Sequence, residues 1–266
     1  MSSERIGSVE QEHYAQHGYV IVPGLFDEKS LTTWRGRLEA IVNGRIPPAD
    51  HMLVMKDIMV AKGAVQTANP AEAIAKVQDF EADPVLYGYA RDPRLLDCVA
   101  GLIGEDLLSI HTMLINKPPN VDGRHPLHQD IIYFPFRPAE RIVGTWTALE
   151  PVHKENGCLV AIPGSHHGEI MAHEHPDWDY VNLGYVGVSG IGADDRRVHF
   201  ELQPGDTILF HPHLIHGSGR NRSEGFRRAI SAHFASAHCE MTPQLASFLP
   251  SRYYTPVRGE RPSWME

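Results

Sequence analysis

Apolar residues recur along this chain at two periods, and the change falls near residue 107. Before it the spacing is helical. Leu31, Trp34, Leu38 and Ile41 follow Asp27 three or four residues apart, which predicts a helix capped by that carboxylate. Asn69-Pro70 opens the run AEAIAKVQDF with proline at the first helical position and predicts a second helix. Asp92-Pro93 repeats the signature before Leu95, Leu96, Val99, Leu102 and Ile103, and Gly104 is the expected stop.

After residue 107 the texture is β-rich. The runs LLSIHTMLI, IVGTWTAL, CLVAI, RVHFEL, DTILF and FRRAISAHF are separated by turn signals, among them Asn156-Gly157, Pro163-Gly164 and Pro204-Gly205-Asp206. Short strands with frequent turns predict an antiparallel sandwich or barrel. No βαβ rhythm and no glycine-rich phosphate loop is present, which counts against a nucleotide-binding parallel sheet. The expected organisation is mainly β with N-terminal helices. It forms a single domain over 1–266: a helical layer over about 1–105, a β core over about 107–238 and a tail over 239–266. The polar, glycine-rich stretch 173–197 reads as a long loop over one mouth of the barrel.

Composition narrows the function classes. The chain has 266 residues and a formal net charge of −9, with 42% hydrophobic and 21% charged residues. That is globular usage, and the acidic balance argues against a nucleic-acid partner. No apolar run is long enough for a membrane span. The N-terminal MSSERIGSVEQEHY lacks the apolar run of a secretory signal, and Trp264-Met265-Glu266 is not a peroxisomal address. Cys98, Cys158 and Cys239 form no spaced metal pair and no disulfide framework. A reducing, cytoplasmic location is the expectation. The unusual count is 17 histidines, of which only His13, His17 and His51 lie outside the stretch from His111 to His238.

The sharpest local feature in that stretch is His128-Gln129-Asp130. In a strand, residues two apart point to the same side, so one imidazole and one carboxylate can reach a single cation. In a helix they would diverge by roughly 200°. A further imidazole is available from His211-Pro212-His213-Leu214-Ile215-His216, directly after DTILF; spacing alone leaves all three histidines open. Two histidines and a carboxylate on one face of a metal suit non-haem Fe(II) oxygen chemistry. Arg227 opens the strand FRRAISAHF. A guanidinium at the start of a buried strand needs an anion, because its charge cannot be shed. A dicarboxylate could supply it; an ion pair of Arg227 or Arg228 with a surface Asp or Glu is the alternative.

Several longer motifs then fall in order: KVQDF, HTMLINKPP, HPLHQDIIYFPFRP, WTALE, ENGCLVAIPGSHHG, PGDTILFHPHLIHGSG and GFRRAISAHFASA. Together, over roughly residues 70 to 240, they resemble the phytanoyl-CoA dioxygenase family of Fe(II)/2-oxoglutarate oxygenases. The resemblance implies a double-stranded β-helix, or jelly roll. It makes His128, Asp130 and His216 the iron ligands. Arg227, assisted by Ser218, would bind the distal carboxylate of 2-oxoglutarate, and the other co-substrate contacts would fall on Lys76, Met113, Gln129 and Trp146. Their plainer roles are core packing for Met113 and Trp146 and a solvated helical position for Lys76.

The implied activity is hydroxylation of an unactivated C–H bond with O2, coupled to conversion of 2-oxoglutarate to succinate and CO2, with ascorbate as a reductant. The implied substrate is a branched fatty acyl-CoA such as phytanoyl-CoA, attacked at carbon 2. Lys117, Arg124, Arg220 and Arg222 lie near the proposed mouth in sequence and are candidates for its phosphates. The family also contains hydroxylases of small free acids and natural-product intermediates. Two other readings compete: a non-catalytic jelly-roll binding module, and a zinc hydrolase using the same ligands. The second leaves Arg227 unexplained.

Overall fold

The computed structural model describes residues 6–119, 121–182, 184–192, 196–242 and 254–265. Near the N-terminus come α1 (Ser8–His17), β1 (Tyr19–Val22) and α2 (Glu28–Val42). The Asp27 side chain accepts from the Ser30 amide at 2.9 Å and caps α2, whose buried face is Leu31, Trp34, Leu38 and Ile41. Then follow β2 (Leu53–Lys56), α3 (Ile58–Ala61), β3 (Ile74–Gln78) and α4 (Pro93–Ile103). Asp92 caps α4, and Gly104 ends it with φ of 93°. Each fully buried apolar side chain on these helices contributes roughly 1.5–3 kcal/mol.

One expected helix is absent. AEAIAKVQDF forms a single 3-10 turn, Pro70–Ala73, and then β3. Asn69 caps the turn through its side chain. Beyond it the backbone pairs with strands on both sides, Val54 opposite Val77 and Leu114 opposite Val77. Ladder hydrogen bonds outweigh the weak helical preference of the run. The alternative of a solvated, helical Lys76 therefore falls: Lys76 is a strand residue.

The remaining strands are β4 (Leu107–Lys117), β5 (His125–His128), β6 (Phe136–Arg137), β7 (Ile142–Ala148), β8 (Leu159–Ala161), β9 (His173–Glu174) and β10 (Gly187–Val188). After them come β11 (Val198–His199), β12 (Thr207–Phe210), β13 (His216–Ser218), β14 (Arg227–Ser236), β15 (Glu240–Met241) and β16 (Thr255–Arg258). The large sheet runs β1-β12-β7-β14-β4-β3-β2, with β16 also on β4. The second runs β11-β8-β13-β5. All pairings are antiparallel, and the architecture is a double-stranded β-helix. Strands β1, β2 and β3 come from the segment expected to be helical, and β16 from the expected tail. The large sheet thus recruits both ends of the chain.

Strand alternation sorts the two faces of the large sheet. Val143, Ile230, Ala232 and Phe234 pack with α2 and α4 in one buried cluster. On the same side the Tyr89 hydroxyl bonds Thr145 and Thr147 at 3.1 and 2.9 Å. The alternate residues Trp146, Ala148 and Ala229 join Phe210 and Ala161 in a second cluster between the sheets. Arg227, Ser231 and His233 share that inner side with them and line a cavity of about 430 Å³.

Candidate metal and co-substrate site

His128 ends β5 and His216 begins β13, and the two are direct partners in the antiparallel pair. His128 Nδ1 lies 2.8 Å from the Pro126 carbonyl, and His216 Nδ1 lies 2.9 Å from the Leu214 carbonyl. A carbonyl only accepts, so each Nδ1 carries the proton and each Nε2 presents a lone pair. Asp130 starts a 3-10 turn rather than continuing the strand. Gln129 between them is still extended, with φ −116° and ψ 124°, so the alternation persists and returns the carboxylate to the side of His128.

Asp130 Oδ1 lies 3.1 Å from His128 Nε2, and Oδ2 lies 3.8 Å from His216 Nε2. The three ligand atoms fall within 4.8 Å of one another, and all three residues are buried. Burial pushes His216 down to about 4. Burial opposes ionisation of Asp130, but the His216 and His233 imidazoles beside it outweigh that and hold its carboxyl well below the usual range. Acceptor atoms converging in a dry place, with no donor among the two imidazole Nε2 atoms, suit a divalent cation. The donor set of two imidazoles and one carboxylate fits Fe(II). Of the three histidines that spacing left open, only His216 joins the group. His211 Nδ1 accepts from the His213 amide, and His213 Nδ1 faces the Gly168 carbonyl at 3.4 Å.

The same cavity holds a buried cation. Arg227 is 1% exposed, and its Nε and Nη1 have no hydrogen-bond partner. Its guanidinium sits 5.4 Å from the Trp146 ring centroid. Burial lowers it to about 10, which still leaves it charged at neutral pH. Unspent guanidinium donors in a cavity call for a carboxylate. Arg228, one residue on, projects from the opposite face and meets Glu39 at 3.0 Å and Glu150 at 3.4 Å. The ion-pair alternative therefore describes Arg228. Ser218, two residues past His216, accepts from Lys117 Nζ at 2.8 Å. That contact occupies a hydroxyl lone pair and leaves the hydroxyl proton for the cavity.

Met113, Trp146 and Lys76 also line the cavity. Burial lowers Lys76 to about 8, and its Nζ lies 5.3 Å over the Tyr185 ring. Gln129 departs from expectation. Its Nε2 donates to the carbonyls of Glu169 and His213 at 3.2 and 3.0 Å, and its Oε1 accepts from the Met171 amide at 2.8 Å. The amide is spent on backbone outside the cavity, because position 129 faces away from positions 128 and 130.

The cationic rim also differs. Lys117 is 3% exposed and belongs to the interior beside Ser218. Arg124 and Arg220 both bond Asp122, at 2.6 and 2.9 Å. Arg220 and Arg222 are the exposed members of the four. The 173–197 stretch carries β9 and β10 rather than being one uninterrupted loop, and within it Trp178 and Tyr180 line the cavity while Tyr185 stacks edge-on against His125 at 4.1 Å. Positions 183 and 193–195 of it lie outside the described residues. Sequence reasoning passed over His233, whose signal was simple alternation from Arg227 through Ala229 and Ser231.

Residues 14–229 match the family model described as phytanoyl-CoA dioxygenase. The chain belongs to the phytanoyl-CoA dioxygenase family. A probable phytanoyl-CoA dioxygenase of Caenorhabditis elegans is 44% identical over 238 residues, 87% of this chain and 76% of the relative. The peroxisomal phytanoyl-CoA dioxygenase of Homo sapiens is 41% identical over 86% of this chain and 68% of its own length. Among solved structures, the α-ketoglutarate-dependent epimerase SnoN, in complex with Fe3+ and α-ketoglutarate, aligns with a TM-score of 0.70 at 21% identity, over 96% of this chain and 94% of its own. EctD from S. alaskensis aligns at 0.71 and 19% identity, over 98% and 89%. At those identities the shared property is the fold. The phytanoyl-CoA dioxygenase match spans His128, Asp130, His216, Ser218 and Arg227 and ends before His233.

Proposed function

We propose that the protein is an iron(II)- and 2-oxoglutarate-dependent dioxygenase that hydroxylates a C–H bond of a fatty acyl-CoA, at carbon 2, and releases succinate and CO2. One observation carries the reading: converging metal-ligand atoms and a buried, unpaired guanidinium open into the same cavity. When bound, iron supplies the activation of O2 that couples keto-acid decarboxylation to hydroxylation. Ascorbate serves as a reductant outside that coupling.

The chain's own residues bind, orient and exclude. His128, Asp130 and His216 hold the metal and leave its other positions open. Arg227 and the Ser218 hydroxyl take the distal carboxylate of 2-oxoglutarate, and Trp146 flanks the guanidinium. Met113 and Lys76 complete the wall. The cavity lining is rich in apolar side chains, among them Leu53, Met55 and Ile58 and, from the 173–197 stretch, Trp178, Tyr180 and Val181. Such a wall suits an acyl chain and keeps bulk water from the reacting carbon. Family membership supports the acyl-CoA assignment. The whole chain acts as one oxygenase domain. Three buried cysteines that form no disulfide are in keeping with a reducing, cytoplasmic location, although a peroxisomal enzyme stands among the relatives. No helix among the described residues is long and apolar enough to cross a membrane.

One observation favours a second reading, the same chemistry on a free acid. Two of the four cations available for coenzyme A phosphates are tied to Asp122, and a third is interior. A succinate-release screen across branched and straight acyl-CoAs and their free acids separates the two. The proposal expects acyl-CoA-dependent succinate that Asp130→Ala abolishes. Faster turnover of the free acids would establish the second reading, and no succinate with any of them would sink both.

A further inference from the structure

Asp130 reaches across the space between the two sheets, and a residue of the large sheet meets it there. His233, on β14, places Nε2 2.8 Å from Asp130 Oδ2. The imidazole is 2% exposed. Phe134 packs against it at 4.9 Å between ring centroids, His111 at 5.7 Å and Phe210 at 6.0 Å. Its strand neighbour on β7 is Gly144, where a Cβ would stand 3.1 Å from His233 Cδ2. The ring is packed by these neighbours at a spot where, among the described residues, Asp130 Oδ2 is the partner of Nε2. A carboxylate only accepts, so the shared proton belongs to His233.

We infer that His233 is the positioning residue of the metal centre: by donating to Asp130 Oδ2 it fixes the carboxylate plane and leaves Oδ1, the oxygen nearer His128, as the metal ligand. The inference rests on the proposed metal site. Its structural logic is that Asp130 lies on a short 3-10 turn, where no strand pairing fixes the side-chain rotation. His128 and His216 have their own orienting bonds to backbone carbonyls, and His233 supplies the corresponding bond for the third ligand. Partners that orient metal ligands typically carry roughly 10- to 100-fold in metal affinity.

The test measures Co(II) affinity of the metal-free protein by its visible absorption, and separately the thermal midpoint of the metal-free form. His233→Leu keeps bulk and removes the donor; His233→Gln keeps an amide N–H at a similar reach. The expected result is a 10- to 100-fold weaker Co(II) affinity for the Leu variant and a Gln variant within a few-fold of wild type. Should the Leu variant fail to fold, His233→Asn, whose amide is too short to reach, takes its place with the same expected loss. A folded Leu or Asn variant that binds Co(II) like wild type overturns the inference, as does a Gln variant as weak as they are. Wild-type protein that binds no Co(II) removes the metal site itself and the inference with it. That outcome is distinguishable because it appears before any substitution at 233.

Discussion

His128 and His216 face each other across β5 and β13, with ring centroids 4.4 Å apart. These strands are only four and three residues long. Gly217, just past His216, allows their backbones to approach. A Cβ there would lie 2.8 Å from the His125 carbonyl oxygen and 2.9 Å from that of Pro126. Those are backbone atoms and cannot rotate away. Gly217→Ala should therefore push β13 off β5 and draw His216 from His128. The expected cost is about 1–3 kcal/mol of stability, with metal affinity lower by about tenfold or more, since 1.4 kcal/mol suffices for that. Denaturant unfolding and Co(II) titration read the two effects; an unchanged Co(II) affinity would show that the pair tolerates strand separation.

Arg227 is a buried charge whose Nε and Nη1 have no hydrogen-bond partner. Leaving such a charge unpaired is costly, and an apolar residue of similar length removes the cost. Arg227→Met is expected to raise stability in the absence of ligand by about 1 kcal/mol or more. It should also abolish stabilisation by 2-oxoglutarate, which for wild type amounts to about 2.7 kcal/mol at a hundred times Kd. Thermal melts with Mn(II), with and without 2-oxoglutarate, check both signs. A variant still stabilised like wild type would show that the carboxylate is held elsewhere.

Much of this site was legible because its chemistry coincides with strong local patterns. His128 and Asp130 sit two apart, and Arg227 sits at the head of an apolar strand. What the pattern did not carry was direction. Gln129 lies between two ligands in sequence, yet alternation turns it outward to hold the backbone at 169, 171 and 213. Lys117 looked like a rim cation because it lies near the proposed mouth in sequence, yet burial of its stem brings Nζ to Ser218. Helices α2 and α4 announced themselves through caps and spacing. Strands β1, β2 and β3 did not, because runs of four or five residues gain their stability from neighbours distant in sequence. The 70–80 segment shows the same limit: Asn69 and Pro70 signalled a start, and only β2 and β4 decided what followed.

Gly144 reports on the packing beneath the metal site. A Cβ there would stand 2.5 Å and 2.6 Å from two ring atoms of Phe210 and 3.1 Å from His233 Cδ2. Phe210 is buried, with its ring centroid 4.7 Å from that of His216 and 6.0 Å from that of His233, so a displaced ring presses on both imidazoles. Gly144→Ala is expected to cost about 1–3 kcal/mol by overpacking and to weaken Co(II) binding through His233. Phe210→Leu in the same chain should recover part of both losses, with a coupling of about 0.5–3 kcal/mol in a double-mutant cycle. Strictly additive effects would mean that the ring is not the obstacle.

Glu81 gives the fold a pH dependence of unusual sign for a carboxylate. Its Oε1 accepts from Thr112 Oγ1 at 2.8 Å, while Oε2 has no partner. Burial first, and then the like charge of Asp79, push its carboxyl up from 4.5 to about 7. Between those values the folded protein keeps a proton that the unfolded chain has lost. The folded state then binds more protons than the unfolded state, so stability falls as pH rises through the window and levels off above it. The full effect is at most about 3 kcal/mol. Glu81→Gln keeps an acceptor for Thr112 and removes the titration. Relative to wild type it should therefore gain stability steadily from pH 5 to 7 and hold that gain at pH 8. Urea midpoints at these pH values provide the measurement, and a variant curve running parallel to that of wild type would mean that Glu81 titrates as an ordinary surface carboxylate.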